Sequence, residues 1–348
     1  MPPSVGALQS GPDVVVGVDN GGTSNNATVL GLDGAFLVDR LVEIPSRVTE
    51  GPGVAVPAMV QSVEHVLEVT GVPRDAVRAI GLDTPGPASA DGVISSLGST
   101  NFGDVAAWRG FDVRGALEKA IGIPVVYNND GNAAALYAHH VFFGDRGGLS
   151  SVSAIVGTGL GGGVVEHGTV VRGAAGMAGE LGHIPISMDG LLAEGQPAPI
   201  CNCGTTGDVE SVASLTGITK NLLPFWLTQF DGHPLGLEPD PILAARQVRS
   251  LAEQGDPLAL RIFEQQAMAL GRLFTIAANF TDPAAYFVGG GVVESQSHFR
   301  EWFLATVREH TALRSEQVRV AEFATVPDLD MAGARGSAFA ALDHVRAG

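Results

Sequence analysis

Two stretches of the chain share one pattern: a β-branched strand, a glycine loop, and a second strand running straight out of that loop. The first, "VVVGVDNGGTSNNATVLGLDGAFLV", has a β-branched run at 14–18, a Gly turn, an apolar run at 27–32, and a Leu-Asp-Gly turn into a third strand. The second, "SVSAIVGTGLGGGVVEHGTVVRG" from Ser151, repeats that order, with Gly157 in the place of Gly17. A dinucleotide-binding fold leaves its first strand through a Gly loop that opens a helix, whereas both loops here lead into strand. Glycines in a single hairpin are ordinary turn residues. Two such hairpins half a chain apart imply an α/β protein of two lobes built on one plan, and 348 residues suffice for two cores.

Between and beyond the hairpins the pattern predicts helices over 54–70 and 112–121, and strands over 79–83 and 124–127. "AYFVGGGVVES" supplies a further strand, and "GARGSAFAALDHV" closes the chain as a helix. In 256–280, Ile262, Leu270, Leu273, Phe274 and Ala277 fall at helical spacing and form a core face. The expected domains are a small lobe of residues 1–128, joined by the C-terminal helix 334–348, and a large lobe of residues 129–333.

Composition removes several function classes. A formal net charge of −17 leaves no electrostatic footprint for nucleic acid. Lys119 and Lys220 are the only lysines and neither lies in a Gly-rich run, which removes the P-loop and disfavours Schiff-base chemistry. No run of about 18 apolar residues appears, and "MPPSVGALQSGPD" lacks a leader pattern, so the expectation is a soluble cytoplasmic chain without a membrane partner. Cys201 and Cys203 are the only cysteines. A disulfide across one residue would be strained, while two thiolates aimed at one point suit a metal such as Zn²⁺. A bare CxC can also be two small hydrophobes.

Seven motifs in order carry a family resemblance: "DNGGT" (19–23), "TPGP" (84–87), "NNDGNAA" (128–134), "GTGLGGG" (157–163), "GELGH" (179–183), "CNCGTTGDVE" (201–210) and "VGGGV" (288–292). From about Val14 to the C terminus the chain resembles the ROK family of bacterial sugar kinases, repressors and open reading frames. The resemblance implies an actin-like ATPase (ribonuclease H-like) α/β fold of two lobes, with duplicated β-hairpin phosphate loops and a central cleft. It also implies a kinase that transfers the γ-phosphate of ATP to the 6-hydroxyl of glucose or a glucose-like hexose, working as a homodimer or homotetramer.

The same resemblance distributes roles. Gly21, Gly22 and Thr23 in one loop, and Gly157, Thr158 and Gly159 in the other, would present backbone amides to phosphate. Asp19 would hold Mg²⁺ through water, and Gly289, Gly290 and Gly291 would pack against adenosine. Gly86, Asn129, Asp130, Glu180, His183 and Glu210 match sugar-binding positions. Asp130 would be the general base; by residue type alone it reads first as a helix cap. His183 would join Cys201 and Cys203 around a structural zinc in the segment 183–210, with Asp208 standing where the family has a third cysteine. Carboxylate oxygen is an acceptable zinc donor.

Three departures from the family pattern bear on function. Asn20 and Ser24 replace an apolar residue and a lysine beside the first loop, which touches nucleotide affinity. The stretch "IPISMDGLLAEGQPAPI" between His183 and Cys201 is longer than expected and could reshape the sugar pocket. An amino sugar or a cyclitol is therefore an alternative acceptor. A catalytically silent sugar sensor or repressor body is the other alternative, although such repressors carry a helix-turn-helix domain ahead of this body and few residues precede Val14 here. His139, His140, the "EHGT" at 166–169 and the tryptophans Trp108, Trp226 and Trp302 read as packing and turn residues.

Overall fold

The computed structural model describes residues 13–85, 88–95, 102–144 and 148–347. Two compact units emerge: one runs to Tyr137 and takes in Arg172–Met177 and the chain from Asp330, and the other comprises Ala138–Val171 and Ala178–Leu329. The chain thus changes units after Tyr137 rather than after residue 128.

In the first unit, β1 (Val14–Asn20), β2 (Ser24–Gly31), β3 (Glu43–Pro45), β4 (Val77–Thr84) and β5 (Val125–Asn129) form one sheet in the order β3-β2-β1-β4-β5. β1 is antiparallel to β2 and parallel to β4, and β4 is parallel to β5. Its β-branched residues Val14, Val15, Val16 and Val18 are all buried, as a central strand requires. Helices α1 (Pro52–Thr70), α2 (Val113–Ile121) and α3 (Asp130–Phe143) follow α/β logic. Asp112 caps α2 by accepting from Gly115 N at 2.7 Å, and Gly122 ends it in the left-handed region.

The third strand of the first hairpin lies later than the sequence predicts. Ala35–Val38 makes only an isolated bridge, Leu30 to Phe36, and the pairing strand is β3. Phe36 is drawn elsewhere: its ring meets Phe339 edge-on at 5.4 Å, with the Arg335 guanidinium 4.9 Å from its centroid.

The second unit contains β6 (Ser151–Val156), β7 (Leu160–Glu166), β8 (Thr169–Val170), α4 (Leu215–Gly217), α5 (Leu223–Gln229), α6 (Pro241–Glu253), α7 (Pro257–Phe280), β9 (Ala285–Gly290), α8 (Ser297–Glu309), α9 (Ser315–Val318) and β10 (Glu322–Thr325). Its sheet order, β8-β7-β6-β9-β10, reproduces that of the first unit strand for strand, with the same parallel and antiparallel pairs. The duplication expected from the two hairpins therefore extends to the whole sheet. His167 (φ 51°) and Gly168 (φ 77°) make the two-residue turn from β7 to β8. α7, capped by Asp256, buries Ile262, Leu270, Leu273, Phe274 and Ala277 as its periodicity predicts.

The chain ends in α10 (Leu329–Ala347), which belongs to the first unit from Asp330 onward. Its seat is made of glycine. A Cβ on Gly17 would lie 1.9 Å from Ala334 O, and one on Gly81, its partner on β4, 1.8 Å from Ser337 O. On the helix side, a Cβ on Gly336 would lie 1.8 Å from Ala133 O of α3, and one on Gly333 would lie 2.8 Å from the Asp19 carboxyl. Backbone lies directly on backbone here, so β1, β4, α3 and α10 fix one another's positions.

Candidate active site

In the first unit the site begins where β1 ends. Gly21 N–H donates to Ser24 O at 2.9 Å and closes the turn, so Gly22 and Thr23 carry the loop's other two amides. Asn20 and Ser24 serve the hairpin itself: Asn20 Nδ2 donates to Asn25 Oδ1 at 2.5 Å, and Ser24 Oγ to Glu43 Oε1 at 3.0 Å. Asp19 lies opposite Asp83 in the β1–β4 register, and the two carboxyls lie within hydrogen-bonding reach. Burial pushes Asp19 above the usual carboxylate range, with the charge of Glu43 adding to it. Burial pushes Asp83 well above that range, and the charge of Asp19 adds to it.

At the end of β5 the duties of two neighbours separate. Asn129 caps α3, its Oδ1 accepting from Asn132 N at 2.8 Å. Asp130 stands exposed at the head of the helix, with Oδ1 accepting from Gly131 N at 2.8 Å. Residue type suggests Asp130 as the cap; the structure gives that role to Asn129. Gly86 lies outside the described residues.

The second unit holds the other glycine loop. Gly157 N–H donates to Gly159 O at 2.9 Å, and the carbonyls of Gly157 and Thr158 accept from Leu215 N (2.9 Å), Thr216 N (3.1 Å) and Thr216 Oγ1 (2.8 Å). Glu210 braces the exit: its Oε2 accepts from Leu160 N at 2.9 Å, and a Cβ on Gly159 would lie 2.5 Å from that oxygen. Neither Leu160 nor the Thr216 brace is signalled by the sequence, since both depend on contacts more than 45 residues away. Gly289 and Gly290 are buried, and their bareness admits the Ile155 side chain and the Val156 backbone; Gly291 is only half-buried.

Glu210 also reaches the cysteines. Cys201 Sγ–H donates to its Oε1 at 3.3 Å, while Cys201 Sγ lies 3.8 Å from His183 Nδ1. His183 Nδ1 lies 3.4 Å from Asp208 Oδ2, and Cys203 Sγ lies 3.6 Å from the same oxygen. The four donors lie within 4.8 Å of one another. Zinc bonds of about 2.0 to 2.3 Å imply tetrahedron edges of roughly 3.3 to 3.8 Å, so the set suits the ion. Asp208 is fully buried and oriented by Ser211 N, which donates to its Oδ1 at 2.9 Å and leaves Oδ2 facing the cluster. Thr205 hydrogen bonds hold the Cys203 thiol below its usual range, which favours the thiolate a metal requires. Glu180 precedes the short turn that carries His183, accepting from His183 N through its carbonyl at 3.2 Å.

The long stretch after His183 follows α7. Gln265 Nε2 donates to Leu191 O (2.9 Å) and Gln196 Oε1 (2.6 Å), and Arg272 donates to the carbonyls of Ser187 and Asp189. The buried Gln265 and the half-buried Arg272 of α7 thus set its course.

Comparison with known proteins agrees with this arrangement. The model of the ROK family matches residues 15–344. A glucokinase of Halalkalibacterium halodurans is 33% identical over 310 residues, covering 86% of this chain and 89% of that one. Among solved structures, a ROK hexokinase from Thermus thermophilus superposes with a TM-score of 0.74 at 30% identity, over 96% of this chain and 100% of that one. A ROK family glucokinase from Streptomyces griseus, in complex with glucose and AMPPNP, gives 0.68 at 28% identity, over 96% and 100%. The fold is the actin-like ATPase fold, present here as two sheets of identical topology. With a family match over nearly its whole length, the chain belongs to the ROK family.

Proposed function

We propose that the protein is an ATP-dependent hexokinase that phosphorylates the 6-hydroxyl of glucose or a close analogue. The observation that carries this reading is the separation of duties at Asn129 and Asp130. Because Asn129 satisfies the helix, the exposed Asp130 is suited to accept the proton of the attacking hydroxyl. Phosphoryl transfer asks little covalent chemistry of a protein and much positioning. In this reading the amides of Gly22, Thr23, Thr158 and Gly159 orient the phosphates, and Glu180, His183 and Glu210 receive sugar hydroxyls. Asp19 holds Mg²⁺, which when bound offsets the charge that develops on the transferred group. Since each sugar hydroxyl both donates and accepts, a mixed set of carboxylates and imidazole suits a hexose.

His183, Cys201, Cys203 and Asp208 would hold a structural Zn²⁺, which would tie the sugar-facing His183 to the segment that carries Glu210. Among the described residues no helix is long and apolar enough to cross a membrane, and the reading places the enzyme in the cytoplasm as a homodimer or homotetramer.

The test is ADP release measured across glucose, mannose, fructose, allose and N-acetylated and amino hexoses, with the product's phosphate position assigned by NMR. Glucose turnover to the 6-phosphate is the expected result. No turnover on any acceptor would refute the kinase reading, and preference for an amino hexose would refute the glucose assignment.

A further inference from the structure

Asp83 carries a feature that its neighbours on β4 do not explain. It is fully buried at the end of the strand, beside Asp19, which sits at the same register position on β1. Its Oδ2 accepts from Ser337 Oγ of α10 at 2.8 Å, and Ser337 is itself fully buried. Its Oδ1 is buried and receives no hydrogen bond from an N–H or hydroxyl group of the described residues, the Asp19 carboxyl being within hydrogen-bonding reach of its own. Glu43 acts on Asp19 and Asp130 on Asp83, each with a further negative charge. Two carboxyls enclosed in this way need a positive charge between them, either a proton or a cation.

The surroundings favour a cation as the working state. Gly333 lets α10 approach Asp19 so closely that no side chain intervenes, and the Ser337 hydroxyl fixes the rotation of Asp83. β1, with Asp19 as its penultimate residue, runs directly into the loop that carries the Gly22 and Thr23 amides. A divalent ion that accompanies nucleotide phosphates is commonly held by one or two carboxylates, with the phosphates supplying further oxygens.

We propose that Asp83 is a second carboxylate for the divalent cation of the nucleotide, acting together with Asp19 and oriented by Ser337. This rests on the kinase reading above. It also assigns a role to α10: the last helix of the chain carries the hydroxyl that holds a cation-binding side chain in position.

The proposal is tested by Mn²⁺ binding, followed by electron paramagnetic resonance in the presence of AMPPNP, together with the Mg²⁺ concentration that half-saturates turnover. Asp83→Asn keeps the shape and the Ser337 contact, and it removes the fully buried member of two adjacent acids. It is expected to melt no lower than wild type, to bind Mn²⁺ at least about tenfold more weakly, and to need about tenfold more Mg²⁺. Ser337→Ala retains the carboxylate but frees its rotation, and is expected to weaken Mn²⁺ by a few-fold. Asp83→Asn binding Mn²⁺ as wild type does, while wild type turns over sugar, would overturn the proposal and leave the kinase reading intact. Wild-type nucleotide binding that is indifferent to divalent cation would overturn both the proposal and the magnesium role of Asp19.

Discussion

Asn129 and Asp130 show how adjacent residues of similar chemistry come to do different work. Asn129, the last residue of β5, accepts from Asn132 N and starts the helix, so Asn129→Ala should cost about 1 kcal/mol of stability, read as a lowered unfolding midpoint. Asp130→Asn keeps an oxygen for Gly131 N and should leave that midpoint unchanged. Asp208 makes a parallel case. Its Oδ1 is held by Ser211 N while Oδ2 faces His183 and Cys203. Asp208→Cys should therefore retain about one zinc per chain by metal analysis of the purified protein, whereas Asp208→Ala should lose it and unfold more readily. Equal zinc content in wild type and Asp208→Ala would remove Asp208 from the ligand set.

The glycines of β1, β4 and α10 act as one contact. A single methyl on Gly17 or Gly81 meets helix backbone at under 2 Å, which no rotamer change relieves. Gly17→Ala or Gly81→Ala should destabilise the protein by roughly 1–3 kcal/mol or more in denaturant unfolding, and Gly53→Ala, which meets nothing within 4 Å, should not. This seat was not readable beforehand: Gly17 sits in a β-branched run and looks like part of an ordinary strand until α10 is placed on it. The hairpins were readable because alternating turn and β-branched chemistry is local, and β6, β7 and the His167–Gly168 turn lie where that chemistry puts them. β3 was misplaced by several residues because Phe36 obeys an aromatic contact with a helix at the far end of the chain. Asp83 was passed over for a related reason. A lone acid ending an apolar strand gains meaning only from parallel pairing with Asp19, 64 positions away. The Cys–His–Asp cluster was readable through the family motifs, but its Nδ1 and Oδ2 geometry was not.

Taken as a whole, the chain solves an electrostatic problem with few cations. At −17 net charge and with two lysines, its composition offers little to a basic groove that would hold a polyphosphate. In the proposed reading, backbone amides of the glycine loops take the place of such a groove, and Asp19 and Asp83 would admit a divalent ion in place of a side-chain ammonium. Nucleotide affinity should accordingly collapse in EDTA, yet vary little with added monovalent salt, as titration calorimetry would show. The proposed proton transfer depends on Asp130. ADP release in the presence of glucose, ATP and Mg²⁺ should proceed in the wild type and fall by about 10²- to 10⁴-fold in kcat in Asp130→Asn at an unchanged melting temperature. Turnover by Asp130→Asn at the wild-type rate, or no glucose-dependent ADP release by the wild type, would contradict it.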